Sequence, residues 1–369
     1  MADAAPADRR VPPIAPARVT AETGEFPHPR PEGRLSCTGT VADGVCSEAM
    51  HPLPRPFRVT LTALLLTSAL TACAPVATLN ALSPRSTYVL TEGVAYGSLP
   101  RQQLDVYKPV LPAPNGGWPV AVFFYGGNWN EGARADYRFV GEALASRGVL
   151  TLVADYRLYP EVKYPTFLED SAQAVAYALN QARSLGGNAR RVFIVGHSAG
   201  SYNAAMLALD PRWLRAAGTS PEALAGWVGL AGPYDFYPIE NPAVQPVFSH
   251  PDYPPKSQPG EFVTPHAPRT FLGTARKDSL VNPQRNTVAL GEKLKAAGVP
   301  VQVKVYKHLG HLTMAATMAA PLRWLAPVLD DVANFIETGR PARRQLSGAE
   351  TPGVPVAVGA TPAPPASPT

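Results

Sequence analysis

Residues 191–206 read RVFIVGHSAGSYNAAM and constrain the chain more than any other stretch. An apolar run at Val192, Phe193, Ile194 and Val195 stops at Gly196; His197, Ser198, Ala199 and Gly200 then lead into small, helix-compatible residues. The pattern predicts a strand, a sharp turn and a helix, with one hydroxyl at the apex. This G-x-S-x-G turn, an elbow, strains the backbone at the serine and pushes its Oγ outward. Gly196 and Gly200 let strand and helix approach with no Cβ between them. The helix N-terminus beside the hydroxyl offers free N–H groups that favour negative charge. Three fixed residues in five also recur by chance; the strand and helix signals on either side favour the functional reading.

The flanking sequence predicts an α/β architecture. Residues 87–96 and 102–107 alternate apolar with polar, as half-exposed antiparallel strands do. Continuous apolar runs at 118–125 and 149–155, like the elbow strand, read as strands buried on both faces. Further strands are expected at 226–230, 269–274 and 301–306, and helices at 135–147, 165–185, 282–297 and 322–337. Such alternation predicts a mostly parallel central sheet of about eight strands, helices on both faces and right-handed crossovers. Reactive groups then belong at the carboxyl ends of the strands. Residues 211–225 and 234–268 fit no strand or helix cleanly, and the second carries Phe236, Tyr237, Phe248 and Tyr253. Loops this long are commonly lids or binding loops, so cap-like insertions over the site are expected there.

Many of the 42 prolines lie near the two ends, which makes residues 1–49 and the Pro/Ala-rich tail 340–369 poor candidates for packed structure. A net charge of +5 without a dense basic run gives nucleic-acid binding little support. Residues 50–73 have the layout of a secretory signal: Arg55 and Arg58, an apolar stretch, then small residues before Cys73. The apolar stretch is too short for a spanning helix, which needs about 20 residues. LTAC resembles the lipobox of bacterial lipoproteins, whose cysteine is lipid-modified and N-terminal after cleavage. An ordinary cleaved signal and an uncleaved anchor are the alternatives. A signal normally begins a protein, so translation is expected to start at Met50, leaving 1–49 as a non-native or disordered extension. Ala74 after the cysteine favours outer-membrane delivery, by resemblance to enterobacterial sorting rules. Cys37, Cys46 and Cys73 all lie outside the expected folded region, so no disulfide framework or cysteine metal site is expected within it.

A serine hydroxyl is a weak nucleophile and needs a base oriented by a third group. In this arrangement the chain order should be Ser, then an acid, then His. His311, directly after Gly310 in YKHLGHLTM, is preferred as base to His308, which reads as a surface residue. His250 and His266 fall in the cap region and read as structural, and His197 is expected to point away from the base. Asp278, just beyond the strand TFLGT, is the expected acid, with Asp235 in GPYDFY as the runner-up. Asp155 and Asp170 read as structural hydrogen-bonding groups, and Asp330 and Asp331 as solvated. The oxyanion hole is expected from the N–H groups of Ala199, Gly127 and Asn128, the last two in the loop YGGNW. One such donor can be worth about 3 kcal/mol in the transition state.

With YGGNW at 125–129, DYRLYPEVKYP at 155–165, GHSAG at 196–200 and the loops of Asp278 and His311, the chain resembles an α/β-hydrolase over residues 86–339. It is similar to the carboxylesterase branch with an HGGxW loop, which includes hormone-sensitive-lipase-like, feruloyl-esterase-like and kynurenine-formamidase-like enzymes. The resemblance implies a serine hydrolase that cleaves small-molecule carboxylic esters through an acyl-enzyme, with no metal or organic cofactor. An amidase, formamidase or peptidase on the same residues, and a catalytically silent ligand-binding protein, are the alternatives. One departure stands out: the family usually has histidine where this chain has Tyr125, so the support of the oxyanion loop must differ.

Overall fold

The computed structural model describes residues 75–338. The expected signal, the candidate lipidation site Cys73 and both expected disordered ends lie outside the described residues.

The elements run α1 (Pro75–Ala81), β1 (Tyr88–Ala95), β2 (Gln103–Pro109), β3 (Trp118–Phe124), α2 (Arg138–Ala145), β4 (Leu150–Ala154), α3 (Thr166–Gln181), β5 (Gly187–His197), α4 (Ala199–Leu209), α5 (Pro211–Ala216), β6 (Gly226–Leu230), β7 (Thr270–Ala275), α6 (Ala289–Ala296), β8 (Val301–Tyr306), α7 (His311–Ala316) and α8 (Val328–Thr338). The eight strands form one sheet in the order β1-β2-β4-β3-β5-β6-β7-β8. β2 pairs antiparallel with β1 and β4, and every later pairing is parallel. Every residue of β3, β4, β6 and β7 is buried. A strand buried at every position needs cover on both faces, which accounts for its unbroken apolar sequence. α3 and α4 pack on each other and on β5, while α2 and α8 pack together. All eleven residues of α4 are buried, so the helix after the elbow runs through the core and needs small or apolar side chains throughout.

Several expectations shift. The helix expected over 322–337 is broken: a 3₁₀ turn covers Ala320–Leu325, and α8 starts at Val328. Pro327 causes the break, because a proline ring drives the preceding residue out of the helical region, and Ala326 is extended at φ −164°. Helix 135–147 begins as a 3₁₀ turn, Arg134–Tyr137, and helix 282–297 as a π turn, Gln284–Val288. Residues 211–225 hold a helix after all: the Asp210 side chain accepts from Arg212 N and Pro211 occupies the first turn of α5. α1 is an element that no period in the sequence marked. Residues 234–268 contain only short 3₁₀ turns. This segment is nonetheless packed, because Phe248 is fully buried against Trp129, Tyr202 and Phe236.

Candidate active site

Crowding shapes the elbow. A Cβ on Gly196 would lie 2.2 Å from the Gly200 carbonyl oxygen, and one on Gly200 would lie 2.1 Å from that of Phe124. Only glycine fits at either position, and the resulting bend leaves Ser198 at φ 54°. The Ser198 N–H donates to Leu230 O at 2.9 Å, which ties the apex to the end of β6.

His311 opens α7, just beyond the loop that follows β8. Its Nε2 lies 2.8 Å from Ser198 Oγ and its Nδ1 lies 2.8 Å from Asp278 Oδ2. The Asp278 side chain is fully buried. Its other oxygen accepts from Leu280 N at 2.9 Å and Val281 N at 2.8 Å. Burial alone would push the Asp278 carboxyl up. The hydrogen bond and charge of His311, with the two backbone donors, outweigh it and hold the group below the usual carboxylate range. A carboxylate on Nδ1 leaves Nε2 free to accept the serine proton. Thus Ser198, Asp278 and His311 are brought together.

Other candidates lie elsewhere. Asp235 is exposed and ion-paired with Arg285 at 3.0 Å, and His308, His250 and His266 are exposed. Asp170 holds Arg157 and Gln102, and Asp155 holds Arg134 and Tyr125. Asp330 pairs with Arg147 and Asp331 with Lys304. The expectation that His197 points away from the base is corrected. Its ring centre lies 5.2 Å from that of His311, and its Nε2–H donates to the His311 backbone oxygen at 3.2 Å. Facing inward from the last position of β5, it meets the start of α7. Burial, with the neighbouring His311 second, lowers its pKa to about 3, so it is neutral at any ordinary pH.

The YGGNW loop lies against the elbow: a Cβ on Gly126 would be 2.8 Å from Ser198 Cβ. Gly127 has φ 126° and its added Cβ would meet the Glu131 carbonyl oxygen at 2.3 Å. Asn128 and Trp129 are also left-handed. The N–H groups of Gly127, Asn128 and Ala199 have no acceptor among the described residues. They therefore remain able to receive a negative oxygen. Tyr125, where the resembled family has histidine, is completely buried and stacked between Tyr137 and Tyr156. Its hydroxyl donates to Asp155 Oδ1 at 2.8 Å. The loop is thus supported from beneath by an aromatic layer.

No group of three or more His, Cys, Asp or Glu side chains suited to a metal ion occurs among the described residues. A depression of about 240 Å³ lined by Arg183, Asn188 and Arg190 sits at the start of β5, the opposite end of that strand from Ser198.

The sheet order, the elbow and the serine, acid and histidine contributed after β5, β7 and β8 define an α/β-hydrolase fold. Within that class, the chain belongs to the BD-FAE family, which it matches over residues 104–294, just over half its length. It is 30% identical over 234 residues to esterase LipC of Mycobacterium tuberculosis, covering 57% of this chain and 56% of that protein. It is 32% identical over 151 residues to isoprenylcysteine alpha-carbonyl methylesterase ICME of Arabidopsis thaliana, covering 40% of this chain and 35% of the relative. The chain thus spans about a third to just over half of the length of these curated relatives. Among solved structures, a bacterial heroin esterase superposes with a TM-score of 0.57 at 22% identity, covering 74% of this chain and 92% of that one. A truncated carbohydrate esterase from gut microbiota gives 0.57 at 18% identity, covering 70% and 98%. At these identities both likenesses speak to the fold.

Proposed function

We propose that this protein is a serine hydrolase that cleaves carboxylic esters through an acyl-enzyme. The observation that carries the reading is the pair of 2.8 Å contacts linking Ser198 to His311 and His311 to Asp278. His311 Nε2 takes the Ser198 proton as Oγ attacks the ester carbonyl. Asp278 keeps the remaining ring proton on Nδ1 and stabilises the imidazolium. The tetrahedral oxyanion is met by the N–H groups of Ala199, Gly127 and Asn128. Collapse breaks the ester C–O bond, and His311 protonates the departing alcohol. Water then attacks the acyl-enzyme, giving up its proton to His311, and the acid leaves as Ser198 recovers its hydrogen. The esterase names of the family's relatives support an ester rather than an amide substrate. The loop 234–268, packed on Trp129, would cover the bound acyl or alcohol group.

Parallel assays with p-nitrophenyl esters of increasing acyl length, aryl formamides and aminoacyl anilides test the proposal. Ester turnover that disappears in Ser198→Ala is expected. Turnover of the amides alone, or ester turnover that survives Ser198→Ala, would reject it. We further propose that Cys73 carries a lipid that anchors the domain in a bacterial envelope, in the outer membrane facing the periplasm, on the strength of the LTAC sequence. Incorporation of labelled fatty acid should vanish in Cys73→Ser, and label that persists would reject the anchor.

A further inference from the structure

The loop facing Ser198 holds one residue, Trp129, in a backbone conformation that its side chain does not favour. Asn128 at φ 50° and Trp129 at φ 58° are consecutive non-glycine residues in the left-handed region, flanked by Gly127 at 126° and Gly132 at 101°. Asparagine tolerates this region, but a bulky residue such as Trp129 costs on the order of 1–3 kcal/mol there and persists only where the surroundings over-determine it. One restraint acts at Trp129. Its indole N–H donates to Asn203 Oδ1 at 2.9 Å, and its ring packs among Tyr202, Phe236 and Phe248. The Trp129 carbonyl also accepts from the Tyr159 N–H at 2.8 Å.

A further restraint acts where the loop leaves and rejoins the body, and there one side chain, Arg101, bonds both ends of the loop. Arg101 stands in the turn between β1 and β2. Its Nη2 donates to the Tyr125 hydroxyl at 2.7 Å and to the Gly132 carbonyl at 2.8 Å, and its Nε donates to the Tyr156 carbonyl at 2.9 Å. Tyr125 and Gly132 are the two feet of the loop. They touch each other, since a Cβ on Gly132 would lie 2.9 Å from the Tyr125 ring. Tyr156 closes the circuit by donating its own hydroxyl to the Tyr125 carbonyl at 2.8 Å. The Tyr125 hydroxyl can accept from Arg101 because its proton is committed to Asp155. Burial also pushes its pKa well above the ordinary value, so it remains a phenol. A planar guanidinium can bond three acceptors in fixed directions, whereas a lysine ammonium offers one compact, strongly hydrated charge.

We propose that Arg101 is the positioning residue of the oxyanion loop: it pins both feet, Tyr125 and Gly132, and so holds the Gly127 and Asn128 N–H groups where an oxyanion on Ser198 would meet them. This rests on the ester-hydrolase reading. Arg101 acts through the loop and does not touch substrate. It also explains how tyrosine can stand in the place where the resembled family carries histidine, because the longer side chain reaches the arginine.

The experiment compares Arg101→Ala, Arg101→Lys and Tyr125→Phe with the unaltered protein, using p-nitrophenyl butyrate. In Arg101→Ala, kcat should fall roughly 10- to 100-fold with KM nearly unchanged, since misplaced donors weaken the transition state more than the ground state. Millimolar methylguanidinium should restore part of that loss, because the Arg101 side chain is 30% exposed and its space opens to solvent. Arg101→Lys should not be restored in this way. Adding Tyr125→Phe to Arg101→Ala should cost less than Tyr125→Phe costs alone, because both remove one coupled contact. Amide hydrogen exchange over residues 126–131 is read on the same proteins and should accelerate in Arg101→Ala, whether or not an ester is turned over. A variant with unchanged kcat and unchanged exchange would overturn the proposal. So would a loss of kcat that follows a lower melting temperature and does not respond to methylguanidinium. Accelerated exchange in a protein that hydrolyses no ester would keep the clamp and reject the hydrolase reading.

Discussion

Ser198 and His197 are adjacent in sequence and meet different parts of the same residue, the ring and the main chain of His311. The serine is forced into the left-handed region by the bend between Gly196 and Gly200, while the histidine turns inward and bonds the main chain of His311. Its Nδ1 has no hydrogen-bond partner among the described residues, and a buried imidazole with one nitrogen unpaired is costly to protonate. The unfolded chain takes up a proton on this ring below its ordinary value of 6.5, whereas the folded chain does so only near 3. Between those limits the unfolded state binds more protons, so stability falls as pH falls. Asp278 acts in the same direction: its carboxyl lies below the usual range in the fold, so its contribution is present at neutral pH and lost on acidification. Urea unfolding at pH 7.5 and pH 4.5 should show the protein losing about 2–3 kcal/mol more than a His197→Gln variant over that interval. Equal losses in the two proteins would mean that His197 contributes nothing to the pH dependence. The sequence placed Ser198, Asp278 and His311 through the chain order of strand ends. It could not orient His197, because that depends on a contact 114 residues away.

At the level of elements, glycine is required for two separable reasons. Gly200 sits inside a helix, where its substitution would drive a methyl into the backbone of β3. Gly218 has φ +77° and nothing within 4 Å of an added Cβ. Gly218→Ala should therefore cost only the left-handed penalty of about 1–2 kcal/mol. Gly200→Ala should cost about 3 kcal/mol or more, since neither Phe124 nor α4 can yield without parting elbow and sheet. Midpoints of urea unfolding for the two variants decide it, and equal shifts would contradict the crowding argument. The bounds of β6 and β8 were legible because glycine, proline or a change of period marks their ends. α5 was missed because its six residues are too few to show a helical period, its start being set by the Asp210 cap instead. Arg101 was missed for a different reason. It belongs to no motif, and it reaches partners 24, 31 and 55 residues away.

For the molecule as a whole, the sheet is the frame that makes distant loops meet. Parallel strands β5, β6, β7 and β8 all end on the same side, so the elbow, the Asp278 loop and the His311 loop converge there although they are far apart in sequence. β1 and β2 extend the frame on the other flank, and the turn between them carries Arg101, which bonds Tyr125 and Gly132 at the two ends of the 125–132 loop. On this reading the convergence is what makes Ser198 a nucleophile. Reaction with an alkyl fluorophosphonate, followed by mass spectrometry of the peptide between Arg191 and Arg212, tests it most directly. One adduct per chain is expected, on Ser198, forming far more slowly in His311→Gln. An unmodified Ser198, or an adduct on another residue, would contradict it.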